Sequence, residues 1–183
     1  TVEGYGNLPS HTGYEFIGWN TASDGNGTAY AAGDTVRLTA SGNDLYAQWE
    51  AKTYGYTVEY YFDGKKNDSL TETAQAEYGA EIKTYHDKCP ANYRLDQTEN
   101  LPLTIGVNEN ENVIRVYYVK NVFTLTIHYR YAEDGTAAED HVESFVQGAA
   151  YSVTSPKISG YTVDKATISG SMPAEDVTET VTY

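Results

Sequence analysis

The sequence predicts a mainly β protein made of small tandem modules. In two stretches, residues 56–62 and residues 123–131, apolar or aromatic side chains occupy every second position, with mostly polar side chains between them. Each stretch leads into an Asp-Gly pair. Such alternation is typical of a strand with one buried face, and Asp-Gly accepts the positive φ of a hairpin turn. The two stretches begin 67 residues apart (123 minus 56). This period is too long for a solenoid unit and fits a small domain.

Short strands separated by turns are expected in the first 50 residues. The predicted strands are residues 14–19, 35–39 and 45–49. Tyr14 and Phe16 lie on one face of the first strand, and Val36 and Leu38 alternate with polar residues in the second. Gly and Pro residues cluster in the opening segment 1–12, and Asp-Gly and Asn-Gly pairs follow the first strand. Turns are therefore expected in both places.

The segments that follow the two long strands also repeat. Segments 78–80 and 147–149 both contain Gly-Ala, and the segments that begin at Tyr93 and Tyr161 both reach an Asp three residues later. Each copy ends in a further predicted strand, and these closing strands are residues 113–119 and 177–183. We therefore predict three modules, which are residues 1–51, 52–120 and 121–183.

The junctions between the predicted modules are short. Residues 50–53 and 120–122 contain no proline and no serine-rich spacer. Units of this size bury only about 60% of their unfolded surface and are marginal alone, so contacts between neighbours are expected to contribute to stability. Because short junctions hold successive modules in line, we expect an elongated array.

The composition excludes two classes of partner. The chain has 26 acidic and 12 basic residues, a formal net charge of −14. Nucleic-acid binding requires clustered Lys and Arg, so no nucleic-acid partner is expected. No apolar run reaches the roughly 18 residues of a membrane-spanning helix, so membrane insertion by this segment is not expected either. The 18 tyrosines supply bulky packing whose hydroxyls tolerate the edge of a small core.

Three motifs mark the first module. They are Gly13-Tyr14-x-Phe16-x-Gly18-Trp19, Gly33-Asp34-Thr35-Val36 and Leu45-Tyr46-Ala47-Gln48-Trp49. Together they resemble the Listeria-Bacteroides repeat of bacterial surface proteins, over residues 5–50. That family usually opens with a further strand and a Gly-rich turn, for which residues 1–7 leave no room. The resemblance therefore implies a first module that is truncated at its N-terminal end.

The two later copies share an opening strand that ends in Asp-Gly, a mid-repeat Gly and a closing strand, and the second has Gly-Tyr-x-x-Asp at residues 160–164. This pattern resembles mucin-binding-protein (MucBP) repeats, over residues 54–120 and 121–183. The first copy departs from the pattern at residues 91–93, where Ala-Asn-Tyr replaces Gly-Tyr, and in a longer polar segment at 108–112 that we expect to be a solvated hairpin turn. The resemblance implies β-grasp-like (ubiquitin-like) modules, mainly β and α+β at most.

Candidate catalytic and zinc-binding residues lack the partners that those chemistries need. His86 and Cys89 are three residues apart, but structural zinc requires four ligands and the chain has a single Cys. The carboxylate pairs Glu133-Asp134, Glu139-Asp140 and Glu175-Asp176 lie in predicted turns. A glycosidase needs two carboxyl groups about 5–10 Å apart across a cleft. We therefore expect no catalytic, cofactor-binding or metal-binding residue.

Calcium is the one cofactor left open. The oxygen-rich turns at residues 63–68 and 133–140 have carboxylate, amide and hydroxyl groups that suit Ca²⁺. Neither has the twelve-residue spacing with a closing Glu that defines an EF-hand loop.

Tyr61 and Tyr117 are the candidate ligand-binding residues. Tyr61 lies on the same predicted face as Glu59, and Tyr117 shares a face with Arg115. Sugar sites commonly set an aromatic platform beside polar groups. The alternative is that these rings pack across strands or between modules.

The resemblances imply a non-catalytic repeat segment of a bacterial cell-surface adhesin, which acts as a stalk and as a multivalent adhesion module. A second hypothesis is a lectin-like module that binds host mucin glycans directly, and a third is a hydrolase fragment. The expected partners are host mucin or another glycoprotein, or adjacent repeats of the parent protein. The expected location is extracellular, attached to the cell wall through parts of the parent protein outside this sequence.

Overall fold

Strands dominate the structure, a computed structural model that describes residues 1–2, 10–37, 39 and 43–183. Among these residues there is no α-helix, and one turn of 3-10 helix spans Asp68–Leu70. The prediction of a mainly β protein is confirmed. The β-grasp arrangement and the elongated array stay predictions.

The strands follow in chain order, with both long and very short members. They are β1 (Tyr14–Asn20), β2 (Ala29–Tyr30), β3 (Tyr46–Ala51), β4 (Thr53–Phe62), β5 (Lys65–Lys66), β6 (Glu72–Glu77), β7 (Glu81–Ile82), β8 (Tyr93–Glu99), β9 (Leu103–Thr104), β10 (Val113–Lys120), β11 (Val122–Arg130), β12 (Thr136–Val146), β13 (Ala150–Thr154), β14 (Thr167–Ser171) and β15 (Val177–Thr182).

The first sheet has the order β2-β1-β3, with both pairs antiparallel. The strand predicted over residues 35–39 is wrong for residues 35–37 and 39, which belong to no strand and have no strand partner among the described residues. Leu38 lies outside the described residues. The Asn43 side chain provides the physical reason. It donates to the carbonyl of Arg37 at 3.2 Å and accepts from the N–H of Thr39 at 2.9 Å, so a side chain takes the place of a strand partner. The turns expected over residues 1–12 lie mostly outside the described residues.

The second sheet has the order β5-β4-β10-β8, and β6 pairs with β4 in an antiparallel register. The N–H of Thr57 donates to Asn112 O at 2.9 Å, and the N–H of Asp63 donates to Tyr118 O at 3.0 Å. From the first bond to the second, the donor and acceptor positions both advance in the same chain direction. β4 and β10, the opening and closing strands, are therefore parallel. A separate antiparallel pair is formed by β7 and β9.

The third sheet repeats this plan. β11 lies between β12, which is antiparallel, and β15, which is parallel. The strands β13 and β14 form a separate antiparallel pair, as β7 and β9 do. The main difference is β8, which adds a strand beside β10, whereas no strand among the described residues pairs with the far edge of β15.

Equivalent side-chain contacts stabilise the opening strand within each of the two copies. A carboxylate just before the closing strand binds the backbone of the opening strand: Glu109 accepts from the N–H of Gly55 at 2.6 Å, and Asp176 accepts from the N–H of Thr124 at 2.7 Å. Aromatic rings at or directly after the end of the opening strand also meet a ring from a later segment in both copies. These ring pairs are Phe62–Tyr93 at 5.4 Å and Tyr131–Tyr161 at 4.7 Å between centroids.

The chain folds into two compact units, each with its own buried side chains. They are residues 1–59, 68–86 and 98–115, and residues 60–67, 87–97 and 116–183. In the second unit the inward residues of β11 meet the closing strand, and Leu125, Ile127 and Val181 are completely buried. In the first unit Ile105 and Ile114 are buried to the same degree. The division into three sequence modules stays a prediction.

A single residue, Lys52, separates β3 from β4. Its N–H donates to the carbonyl of Gly13 at 2.9 Å, and its carbonyl accepts from the N–H of Tyr78 at 2.8 Å. Gly13 precedes β1, whereas Tyr78 follows β6. The backbone of the junction residue is therefore bonded to the module on either side.

Asn121, the residue between β10 and β11, is bonded in the same pattern. Its N–H donates to Asn92 O at 3.0 Å, and its carbonyl accepts from the N–H of Gln147 at 2.9 Å. Its side-chain amide also donates to the Gln147 side chain at 3.1 Å. Both junctions are shorter than the segments predicted from the sequence, and both leave no unbonded backbone group on the junction residue.

Candidate functional site

The predicted ligand-binding residues Tyr61 and Tyr117 lie against each other. Their ring centroids are 4.7 Å apart and the rings are inclined by 25°, a stacked arrangement. Both side chains are half-buried, whereas the neighbours Tyr60 and Tyr118 are almost fully buried. Because each ring covers one face of the other, only the ring faces that point away from the partner are left for a sugar. This geometry fits cross-strand packing, and a ligand-binding role for the pair stays a prediction.

A groove of about 510 Å³ lies on the other face of the β4–β6 pair. Tyr56 is directly opposite Ala74, and Val58 is opposite Glu72, so these four side chains share a face. Residues 84–86 line the same groove from outside the strands. The small Ala74 side chain opposite the large Tyr56 ring leaves the space that forms the groove.

The groove combines aromatic and ionisable groups. Tyr56 and Tyr85 supply two rings, and the Nδ1 atom of His86 lies 3.3 Å and 3.2 Å from the two carboxylate oxygens of Glu72. Glu72 is one-third exposed, and His86 is 82% exposed at the rim. Sequence reasoning missed this site because residues 84–86 follow no strand period. The available signal was a Tyr-His pair beside an otherwise polar segment.

A second polar cluster lies on the outer face of β11. Asp140 accepts from Arg130 at 2.7 Å and 3.2 Å, and His128 Nδ1 lies 2.7 Å from the same carboxylate. Hydrogen bonds from Arg130 and His128 lower the pKa of Asp140 to about 2. All three side chains are about one-third exposed. The carboxylate is therefore ionised at neutral pH and held by cationic or polar donors.

The structure corrects the predicted environment of several acidic and polar residues. The pair Glu139-Asp140 lies in β12 and not in a turn, because β12 runs through the segment that was expected to bend. Asp176 binds the backbone of Thr124. In the polar segment 108–112, Asn112 is only 2% exposed, so the segment is not wholly solvated. Its side chain donates to the carbonyls of Gly55 and Gly106 and accepts from the N–H of Gly106.

His86 and Cys89 are not joined by any described contact. His86 faces Glu72, while burial, and then the charge of Asp87, raises the pKa of the Cys89 thiol and disfavours the thiolate. Among the residues that the structure describes, no three His, Cys, Asp or Glu side chains are grouped so as to hold a metal ion. The calcium alternative stays a hypothesis. Within the same residues no helix has the length and apolar character needed to cross a membrane.

Family comparisons identify two of the modules. Residues 3–48 match the Listeria-Bacteroides repeat domain, and residues 124–183 match the MucBP domain. Both resemblances are thereby confirmed as family matches, with one Listeria-Bacteroides repeat followed by one MucBP domain, each over less than half of the chain. The expectation of two MucBP domains is wrong at the level of the family match, because residues 54–120 are not matched. Their additional strand β8 lies where the second copy has an irregular segment.

Two relatives from Evansella cellulosilytica are similar over part of the chain. A protein described as a Gly-rich membrane protein is 41% identical over 70 residues, which are 38% of this chain and 8% of that protein. A protein described as a membrane protein is 32% identical over 111 residues, which are 61% of this chain and 16% of that protein. The matched region is thus less than a fifth of either relative.

Two solved structures are similar at low identity. The crystal structure of Mub-RV is 16% identical, with 70% of this chain and 97% of that chain covered and a TM-score of 0.29. The type 2 repeat of the mucus binding protein MUB from Lactobacillus reuteri is 19% identical, with the same coverage and a TM-score of 0.30. TM-scores this low do not define a common arrangement.

Proposed function

We propose that this chain is a non-catalytic repeat segment of a bacterial cell-surface protein and that it binds mucin-type glycoprotein. The match of residues 124–183 to the MucBP domain is the observation that supports it most directly. The surface location is supported by the Listeria-Bacteroides repeat at residues 3–48. Attachment to the cell would be made by other parts of a longer protein.

Several modules that each bind mucin weakly would together give the parent protein a high overall affinity. A long parent chain with many modules raises the effective concentration of each binding site once the first is engaged. The half-exposed tyrosines and the polar groove offer groups suited to sugars, which carry both hydroxyls and apolar C–H faces. Individual sites can then be weak and exchange quickly while the whole surface adheres.

A spacer role is the alternative, in which this segment carries no ligand and separates an adhesive part of the parent protein from the cell. The one-residue junctions at Lys52 and Asn121 favour it, because both are bonded through N–H and C=O. The absence of a hinge residue at these positions suits a stalk. Spacer and binding roles are distinguished by direct measurement.

The test is binding of the whole chain to immobilised mucin, intact and enzymatically deglycosylated, in physiological salt. We expect binding to intact mucin that is lost with the glycans. Tyr61→Ala and Tyr117→Ala test the sequence-based site, and Tyr46→Ala is a matched control because Tyr46 is an exposed tyrosine of the first sheet.

Each outcome has a separate meaning. Binding that survives deglycosylation would show that the ligand is the mucin polypeptide and not its sugars. Absence of binding to either form would contradict mucin binding and support the spacer. Unchanged binding by both the Tyr61 and Tyr117 variants would remove these residues from the site.

A further inference from the structure

We propose that the groove on the β4–β6 pair binds one neutral pyranose unit, with an N-acetylhexosamine as its preferred sugar. The inference deepens the proposed function and rests on it, because it takes the sugar to be part of a mucin-type glycan. The inference is based on the side chains that line the groove. The MucBP match covers residues 124–183, whereas the groove is formed within residues 56–86.

The size and position of the groove suit a small ligand. Its volume of about 510 Å³ falls within the range of roughly 300–1,000 Å³ that is usual for small-molecule sites. Val58, which is only 5% exposed, forms the floor, and the exposed Ala74 opposite Tyr56 also lines the groove. A protein surface that is concave over an apolar floor favours a ligand with an apolar face of its own.

The apolar lining matches the C–H face of a pyranose. Tyr56 and Tyr85 present aromatic rings to the groove, and rings of this kind pack against flat apolar surfaces while their hydroxyls stay hydrated. The methyl group of an acetamido substituent would lie against Val58 and Ala74. This contact is the reason to prefer an N-acetylhexosamine over a simple hexose.

The polar lining matches the donors of the same sugar. An ionised carboxylate only accepts hydrogen bonds, so Glu72 suits sugar hydroxyls and the acetamido N–H. The Nδ1 atom of His86 lies 3.3 Å and 3.2 Å from the two oxygens of that carboxylate and so helps to position it. Thr84 adds a hydroxyl that can donate or accept.

Charge selects a neutral sugar over an acidic one. Among the described residues that line the groove none is Lys or Arg, and the chain has a net charge of −14. A carboxylated or sulphated sugar would bring a second anion next to Glu72, and like charges at short range repel. Sialic acid and sulphated sugars are therefore expected to be excluded.

The test is an NMR titration of the whole chain with free N-acetylgalactosamine, galactose and N-acetylneuraminic acid, together with mucin binding by the same variants. N-acetylgalactosamine is expected to shift the amide signals of residues 56–58, 72–74 and 84–86, galactose to bind more weakly, and N-acetylneuraminic acid to leave them unchanged. Tyr85→Ala and Glu72→Gln should each weaken N-acetylgalactosamine binding by roughly three- to tenfold. Gln75→Ala is the matched control, since Gln75 lies on the same strand opposite Gly55 and faces away from the groove.

The outcomes separate this site from the proposed function. Mucin binding that is unchanged in Tyr85→Ala and Glu72→Gln, with no sugar-induced shifts in the groove, would overturn the site and leave mucin binding in place. Shifts in the groove without mucin binding would support the site and contradict the function. Shifts produced by N-acetylneuraminic acid in place of N-acetylgalactosamine would overturn the assignment of a neutral sugar.

Discussion

Asp140 shows how a carboxylate that looks solvated in the sequence acquires a fixed role. Arg130 binds both of its oxygens and His128 binds one, so the charged form of the acid is favoured in the folded chain. Its folded pKa, about 2, lies below the ordinary value of 3.8. The group therefore stabilises the fold above the unfolded pKa, and this contribution is lost as the pH falls through 3.8 towards 2.

We expect Asp140→Asn to lower the melting temperature at pH 7 and to have little effect near pH 2, where about half of the folded wild-type carboxylate is protonated and most of its stabilising contribution is lost. Thermal unfolding of both proteins across this pH range measures the difference. Glu139→Gln is the control, because the adjacent exposed Glu139 makes no described ion pair. A difference between wild type and Asp140→Asn that is the same at pH 2 and pH 7 would contradict an electrostatic role.

Asn112 is a buried polar residue whose side-chain partners are all backbone groups. Replacing it by alanine leaves the carbonyls of Gly55 and Gly106 and the N–H of Gly106 without this partner. We expect Asn112→Ala to reduce the free energy of unfolding by about 1–3 kcal/mol. Denaturant unfolding tests this, with the exposed Asn110→Ala as the control two positions away. Equal stability of the two variants would show that water replaces the amide.

Strands with one buried face were predictable, and strands exposed on both faces were not. Alternation located β4 and β11 to within a few residues, because their inward side chains form the core. β6, β8 and β12 are edge strands whose side chains are mostly exposed or half-buried, so no apolar period marks them. The sugar groove was missed for the same reason, because one of its walls is β6 and the other is irregular.

The backbone hydrogen bonds at the junction between β10 and β11 can be tested by hydrogen exchange. The N–H groups of Asn121 and Gln147 donate to backbone carbonyls. We expect both amides to exchange with solvent as slowly as the strand residues beside them, in NMR hydrogen exchange. Asn121→Pro removes one donor and should speed exchange at Gln147. Exchange at the rate of an unstructured peptide amide would contradict a bonded junction.

The charge of the whole chain would affect its approach to the proposed mucin partner. With a net charge of −14, the chain would be repelled at long range by sialylated or sulphated mucin, even though the proposed groove takes a neutral sugar at short range. Salt screens this repulsion over a distance of about 10 Å at 0.1 M.

Mucin binding is therefore expected to become stronger, chiefly through faster association, when salt is raised from low to physiological concentration. Surface plasmon resonance at several salt concentrations measures this, and desialylated mucin should show a smaller effect. Binding that weakens as salt rises would instead indicate a contact between a cation of this chain and an anionic sugar, with the Arg130 cluster as the first place to look.

The parallel pairing of opening and closing strands has a mechanical consequence. β11 and β15 run in the same direction in register from Leu125–Val177 to Arg130–Thr182. Tension along the chain enters at the start of β11 and leaves at the end of β15, so it pulls these neighbours in opposite directions along their length. The hydrogen bonds between them are then sheared together and not unzipped one at a time. A module connected in this way resists stretching, which is what flow over a mucus surface would demand of a tethered cell.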